Sequence, residues 1–181
     1  MREKIKLYFA SPLFTAMEQS FNRDLVEELR AQIYFTQLSE QVEVEIYLPQ
    51  ENEAINDKSA YADSKMIAQA DTKELLESDL VLAILDGVTI DAGVASEIGI
   101  AYATGIPVIG LYSDVRQGTH NNQQKIKALD EIAESQFSYI NLYTAGLVKS
   151  NGVITGTVSE FIDVVMDDVE KLIKDKLEEV K

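Results

Sequence analysis

The chain contains no cysteine and no tryptophan, and His120 is the only histidine among its 181 residues. Without cysteine, the sequence excludes disulfide scaffolds, thiolate metal sites and cysteine nucleophiles. A single histidine excludes a multi-histidine metal centre, and a Ser-His-Asp arrangement would have to use His120. Because its surroundings are polar, we interpret His120 as solvent-exposed rather than catalytic. Carboxylates must therefore carry most of any chemistry.

Positive charge is also scarce, with 16 lysines and arginines against 31 aspartates and glutamates, a net charge of -15. The resulting negative field repels phosphate backbones, so we expect no nucleic-acid partner and no binding to anionic membranes. A neutral or cationic small ligand fits better. A hydrophobic fraction of 46% is too high for a disordered acidic chain, and we expect one globular domain over residues 1–181.

Long hydrophobic runs are absent as well. No segment reaches the roughly 18 consecutive apolar residues of a membrane span, and residues 1–6 lack the apolar stretch of a secretory signal. We therefore expect a cytoplasmic protein.

Short apolar runs alternate with amphipathic stripes along the chain. The runs predict strands at 5–10, 42–48, 80–85, 106–112 and 137–142. The stripes predict helices at 14–33, 64–77, 92–104 and 123–134, and a closing helix that follows the capping-box pattern of Thr157 and Glu160. Polar segments at 50–63 and 113–122 are interpreted as loops.

Strands that are apolar on both faces are typical of a parallel sheet covered by helices. The alternation predicts an α/β fold, a flavodoxin-like doubly wound five-stranded parallel sheet of order 2-1-3-4-5 with helices on both faces. Ligands bind such sheets beyond the carboxyl ends of the strands, where the winding reverses. The candidate site therefore lies between the ends of the first and third strands.

Three carboxylates follow the third strand: Asp86, Asp91 and Glu97. Glu97 lies among small and apolar residues near a helix start, where the helix dipole favours an ionised nucleophile, or it is simply a solvated surface acid. Asp91 is a site acid or the helix N-cap. Asp71, in the preceding helix, is a surface acid unless other information places it in a site.

Two segments carry a family resemblance: KLYFASPLF at 6–14 and DAGVASEIGIAYATGIPV at 91–108. With Asp71 between them, they resemble the nucleoside 2-deoxyribosyltransferase family. The resemblance implies a flavodoxin-like enzyme that exchanges the base of 2'-deoxynucleosides in nucleotide salvage.

The resemblance also implies residue roles. Glu97 corresponds to the nucleophile, Asp71 to the acid that handles the proton on the base, and Tyr8 to the tyrosine that orients the nucleophile. Asp91 corresponds to the acid on the sugar hydroxyl and Phe14 to an aromatic of the base pocket. The remaining substrate-binding positions are Ala10, Gly87, Gln50 or Glu53 in the loop after the second strand, and Asn141, lent to the neighbouring subunit. The chain ends in Lys181 on a helix, not in the tyrosine common in the family.

The implied reaction passes through a covalent deoxyribosyl–glutamate intermediate and, as in retaining glycosidases, keeps the configuration of the anomeric carbon. It needs no metal or organic cofactor, its partners are 2'-deoxynucleosides and free nucleobases, and a homo-oligomer, typically a hexamer, is implied. Two alternatives remain: a 2'-deoxynucleoside 5'-monophosphate N-glycosidase, which hydrolyses, and a non-catalytic nucleotide-binding module. Tyr139 and Tyr143 are interface residues or strand core.

Overall fold

A computed structural model describes residues 3–36, 42–56, 61, 63–119 and 121–179. Five strands form one parallel sheet in the order β2-β1-β3-β4-β5, which confirms the predicted topology. Their bounds are β1 Glu3–Ala10, β2 Val42–Tyr47, β3 Leu80–Ile84, β4 Val108–Leu111 and β5 Gly152–Thr155. The reversal of winding between β1 and β3 lies where the sequence places it.

Seven helices connect or follow the strands within the described residues. They are α1 Ala16–Phe35, α2 Glu53–Asn56, α3 Ser64–Leu76, α4 Ala92–Thr104, α5 Gln123–Ala128, α6 Leu142–Ser150 and α7 Val158–Glu179. The helices predicted at 14–33, 64–77 and 92–104 and the closing helix are confirmed within two residues at each end that was specified. In the described part of the chain, none of the helices is long and apolar enough to cross a bilayer.

The sheet buries an apolar layer on each face because side chains alternate along a strand. Leu7 and Phe9 of β1 face a layer that is completed by α1 and α7. Tyr8 and Ala10 face the opposite layer, which α3, α4 and α6 cover. Tyr8 is therefore a buried residue on the face that carries α4, the helix of Glu97.

The predicted fifth strand at 137–142 is wrong. The fifth strand is β5, which pairs Val108 of β4 with Gly152, and residue 141 is the N-cap of α6. β5 has four residues and lies at the sheet edge with Val153 exposed, so its apolar run is too short to predict a strand. Tyr139 and Tyr143 are 72% and 77% exposed, which excludes the interpretation as strand core.

Other differences concern helix ends and loops. The helix predicted at 123–134 ends at Ala128 and gives way to turns. The segment after β2 contains a 3-10 turn, Pro49–Glu51, and the short α2, where only a loop was predicted. Phe14 precedes α1 and is 78% exposed, so it is not part of the buried stripe. His120 lies outside the described residues.

Candidate active site

A cavity of about 230 Å³ opens beyond the carboxyl ends of β1 and β3. It is lined by the segment after β1, by α3 and by the first turns of α4. The lining residues are Ser11, Leu13, Phe14, Pro49, Ile67, Asp71, Asp91, Gly93, Val94 and Glu97. Three carboxylates thus line one small cavity that is otherwise mostly apolar. They are the acids that the resemblance assigns to the site.

Glu97 of α4 lines this cavity, and the buried Tyr8 side chain forms a hydrogen bond with it. The Tyr8 hydroxyl donates a hydrogen bond of 2.6 Å to Oε1 of Glu97. Within the described residues no donor reaches Oε2, so one oxygen is fixed and the other remains available to a ligand. This environment argues against a solvated surface glutamate.

Burial raises the pKa of Glu97 from 4.5 to about 7, and the charges of Asp71 and Asp91 add to the rise while the Tyr8 hydrogen bond opposes it. Burial thus acts against the helix dipole, which favours the ionised form of Glu97. Burial and the Glu97 charge raise the pKa of Tyr8, so the phenol keeps its proton and acts as the donor.

Asp71 lies on α3 and is half-buried, not a routine surface acid. The Tyr47 hydroxyl is 3.5 Å from its Oδ1 and accepts a hydrogen bond of 2.9 Å from Nδ2 of Asn52. Burial raises the pKa of Asp71, the Tyr47 hydroxyl lowers it, and the Glu74 charge raises it. A carboxyl with a raised pKa is suited to give up or accept a proton near neutral pH.

Asp91 is the N-cap of α4, as one of its two interpretations predicts, and it also lines the cavity. Its Oδ1 accepts hydrogen bonds of 2.8 Å from the Gly93 amide and 3.1 Å from the Val94 amide. No described residue donates to its Oδ2. The cap fixes the carboxylate at the mouth and leaves one oxygen for a hydroxyl donor.

The structure does not bring every predicted residue to the cavity. Ala10 is fully buried in the core. Gln50 binds Asn22 and the Gln19 carbonyl, each at 3.0 Å. Asn141 is exposed and caps α6 through its Oδ1. The Glu53 side chain is exposed and does not line the cavity.

Gly87 lines a neighbouring cavity of about 450 Å³ with Asp86 and Ser113. Its φ of +135° favours glycine, and a Cβ here would lie 2.9 Å from the Thr89 carbonyl oxygen. Asp86 accepts hydrogen bonds of 2.7 Å from both the amide and the hydroxyl of Ser113. The Asp86 carboxylate therefore links the segments that follow β3 and β4.

Sequence reasoning missed two residues that support the site. Tyr47 stacks on Tyr8 with ring centroids 5.5 Å apart and approaches Asp71. Asn22 is buried on α1, and its Nδ2 donates a hydrogen bond of 2.9 Å to the Pro12 carbonyl. This bond fixes the segment after β1. A polar residue within the apolar stripe of α1 was an available signal for Asn22, whereas Tyr47 resembles any strand residue.

Within the described ranges, no group of three histidine, cysteine, aspartate or glutamate side chains is arranged to hold a metal ion. The three site carboxylates are spread over two walls of the cavity. Their arrangement suits attack on an electrophilic carbon from one wall and proton transfer from the other.

Several solved structures resemble the chain. A conserved protein from Enterococcus faecalis V583 is 55% identical, with 91% of this chain and 99% of that chain covered and a TM-score of 0.81. A 2-deoxyribosyltransferase from Bacillus psychrosaccharolyticus is 17% identical over 86% of this chain and 88% of its own, with a TM-score of 0.52. A 2-desoxiribosyltransferase from Leishmania mexicana is 16% identical over 88% and 97%, with a TM-score of 0.55.

The last two likenesses show the fold alone. No curated protein sequence matches the chain. The sequence model of one enzyme family, described as Nucleoside 2-deoxyribosyltransferase, matches residues 7–130, which include the second half of β1 and all of α3, β3, α4 and β4. This match spans more than half of the chain and contains Tyr8, Asp71, Asp91 and Glu97, so the chain belongs to the nucleoside 2-deoxyribosyltransferase family.

Proposed function

We propose that this protein exchanges the base of 2'-deoxynucleosides through a covalent deoxyribosyl ester on Glu97. One observation carries the proposal: Glu97 lines the cavity with one oxygen held by Tyr8 and the other without a described donor, while Asp71 and Asp91 line the same cavity. This is the arrangement that a carboxylate nucleophile with a separate proton donor requires.

In the first half-reaction, Oε2 of Glu97 attacks the anomeric carbon on the face opposite the base. The carbon–nitrogen glycosidic bond breaks, its electron pair leaves with the base, and Asp71 supplies the proton that neutralises the base. In the second half, a new base attacks the anomeric carbon, the ester bond to Glu97 breaks, and Asp71 takes the proton. Two inversions give net retention.

The raised pKa of Asp71 supports its role, and the raised pKa of Glu97 is compatible with the role of nucleophile. A Glu97 pKa of about 7 leaves a large ionised fraction at neutral pH, which is the form that attacks. The raised pKa of Asp71 increases its protonated fraction, which is the form that assists departure of the base. The steps need only the carboxyl and phenol groups of this chain.

The charge of the cavity supports neutral substrates. Oδ2 of Asp91, to which no described residue donates, suits a sugar hydroxyl, which donates a hydrogen bond that a phosphate dianion cannot. The apolar wall of Leu13, Phe14 and Ile67 suits the flat face of a nucleobase. We therefore propose 2'-deoxynucleosides and free nucleobases as the ligands.

We extend the proposal to Asn141 as a residue lent to a neighbouring subunit. Its Oδ1 caps α6, and its exposed side chain lies next to exposed Leu142 and Tyr143. Such an apolar exposed patch is typical of a subunit interface. A homo-oligomer in which Asn141 reaches the sugar of the adjacent site would follow.

The alternative, hydrolysis of a 5'-monophosphate, would require donors for a dianion. Three candidate donors are already engaged: Ser96 with the Ala92 carbonyl, Ser113 with Asp86, and Arg116 with Asp114. The Ser11 hydroxyl lines the cavity without a partner, but one neutral hydroxyl supplies neither the several donors nor the positive charge that a dianion requires. The cavity itself presents three carboxylates. Its chemistry favours exchange of neutral nucleosides.

The direct test is to incubate the protein with one deoxynucleoside and a different free base and to separate the products by chromatography. We expect a new deoxynucleoside that carries the second base. Release of free deoxyribose as the sole product would favour the hydrolase, and no consumption of the nucleoside would contradict the proposed base exchange.

A further inference from the structure

One polar group in the cavity has no assigned role: the hydroxyl of Ser11, at the carboxyl end of β1. Ser11 is only 7% exposed and lines the cavity with Asp71 and Glu97. Its Oγ is the one buried side-chain oxygen or nitrogen in the described ranges without a hydrogen-bond partner. Buried hydroxyls are almost always paired, so an unpaired one at a cavity wall calls for a ligand.

The position of Ser11 indicates which part of the ligand it meets. The segment that follows it supplies Leu13 and Phe14, which with Pro49 and Ile67 form the apolar part of the cavity. A nucleobase has apolar faces and a polar edge, so a pocket for it combines apolar walls with a few polar groups. On this side of the cavity the polar groups are Asp71 and Ser11, whereas α4 supplies Asp91 and Glu97.

We infer that the Ser11 hydroxyl hydrogen-bonds to the edge of the bound nucleobase and is a specificity-determining residue of this site, an inference that rests on the proposed function. No described residue forms a hydrogen bond with the hydroxyl, so rotation about χ1 between staggered positions can turn it toward the ligand. A hydroxyl both donates and accepts, so it suits a keto or an amino group at the edge.

Ser78 is a matched control. It has the same exposure, 7%, and lies at the opposite end of β3 from the cavity, with its hydroxyl bonded to the Glu74 carbonyl at 2.7 Å. Ser78→Ala breaks a satisfied bond and should lower the midpoint of thermal unfolding. Ser11→Ala removes a buried hydroxyl that has no partner, so the unliganded variant should unfold at the same temperature as the wild type or higher.

The deciding measurement is the KM for the acceptor base at a saturating concentration of the donor deoxynucleoside. At that point the sugar is already attached to the enzyme, so the acceptor base is the ligand whose binding this KM reflects. We expect Ser11→Ala to raise it about 3- to 10-fold, the effect of one neutral hydrogen bond, and Ser78→Ala to leave it unchanged.

An unchanged acceptor KM in Ser11→Ala would overturn the inference, and so would a fall in its unfolding midpoint as large as that of Ser78→Ala. Different results refute the proposed function and the inference about Ser11. A wild-type protein that does not exchange bases refutes the proposed function and this inference with it. A wild-type protein that exchanges bases, beside a Ser11→Ala variant with unchanged KM, refutes the inference alone.

Discussion

Burial and a hydrogen bond act in opposite directions on the Glu97 carboxyl. Burial raises its pKa to about 7, while the Tyr8 hydroxyl lowers it by stabilising the carboxylate. A folded-state pKa above the ordinary 4.5 means that the folded protein binds the proton more tightly than the unfolded chain. The contribution of this proton to the free energy of unfolding is fully present below pH 4.5 and is lost as the pH rises through 7.

Replacing Glu97 by glutamine should therefore separate stability from activity. Glu97→Gln keeps an oxygen that accepts from Tyr8 but carries no charge, so at pH 8 we expect it to be more stable than the wild type by about 1–3 kcal/mol. Near pH 5 the difference should nearly vanish. Urea unfolding at both pH values measures it, and base exchange should fall by at least about 10⁴-fold. Equal stability at pH 8 would contradict the burial argument.

Tyr8 should control the pH at which Glu97 becomes active. In Tyr8→Phe the carboxylate loses its hydrogen bond of 2.6 Å, so the pKa of Glu97 rises further. We expect the acidic limb of the kcat/KM profile, near pH 7 in the wild type, to move to higher pH and the plateau to fall. Tyr112→Phe, which loses only a bond to the Tyr139 carbonyl, is the control. A limb that stays in place would show that Tyr8 does not govern this carboxyl.

Single residues also show what sequence can reveal of a site. Glu97 was identifiable as a lone charge in a helix of small and apolar residues, and Asp91 by its position before that helix. Asp71 depended on the family resemblance, because nothing in its spacing distinguishes it from a surface acid. The unpaired state of the Ser11 hydroxyl depends on three-dimensional packing, which no local pattern records.

At the scale of elements, the sequence predicted long periodic units and missed short ones. α1 and α7 have 20 and 22 residues, enough turns for an apolar stripe to be unmistakable. β5 has four residues beginning with Gly152, and the aromatic segment before α6 is richer in residues that favour strands. The edge position of β5 is fixed by its pairing with β4, a tertiary contact.

The pairing of β4 with β5 makes a specific demand on residue 152. A Cβ at Gly152 would lie 1.8 Å from the Val108 carbonyl oxygen, a contact that backbone must shift to relieve. We expect Gly152→Ala to destabilise the protein by about 1–3 kcal/mol or more, measured by urea unfolding. Gly146→Ala in α6, where a Cβ meets nothing within 4 Å, should instead add about 0.5–1 kcal/mol. Equal effects of the two changes would contradict the assigned register.

At the scale of the whole molecule, the net charge of -15 and the three cavity carboxylates act in the same direction. The net charge disfavours a phosphorylated ligand by long-range repulsion, and the described residues that line the cavity include no lysine or arginine to offset it. The order of the sheet was predictable because alternating strands and helices admit few right-handed windings. That order in turn predicted the cavity, although its lining depends on loops that the pattern does not specify.

The protein should therefore discriminate strongly between neutral and phosphorylated substrates. We expect kcat/KM for a 2'-deoxynucleoside to exceed that for its 5'-monophosphate by at least about 10-fold at low ionic strength. Added salt should narrow the ratio, because it screens the repulsion. The ratio is measured by steady-state kinetics with the same donor base and the same acceptor base at two salt concentrations. A preference for the monophosphate would contradict the proposed substrate class.

The central claim, that Glu97 is the covalent nucleophile, is tested most directly by the mass of the protein itself. The protein is mixed with a deoxynucleoside in the absence of an acceptor base, quenched with acid within the first turnover, and analysed intact and after proteolysis. The account predicts a mass increase of one deoxyribosyl group, located on the peptide that contains Glu97 and missing from Glu97→Gln. An adduct on another residue, or active base exchange with no adduct at any time, would contradict it.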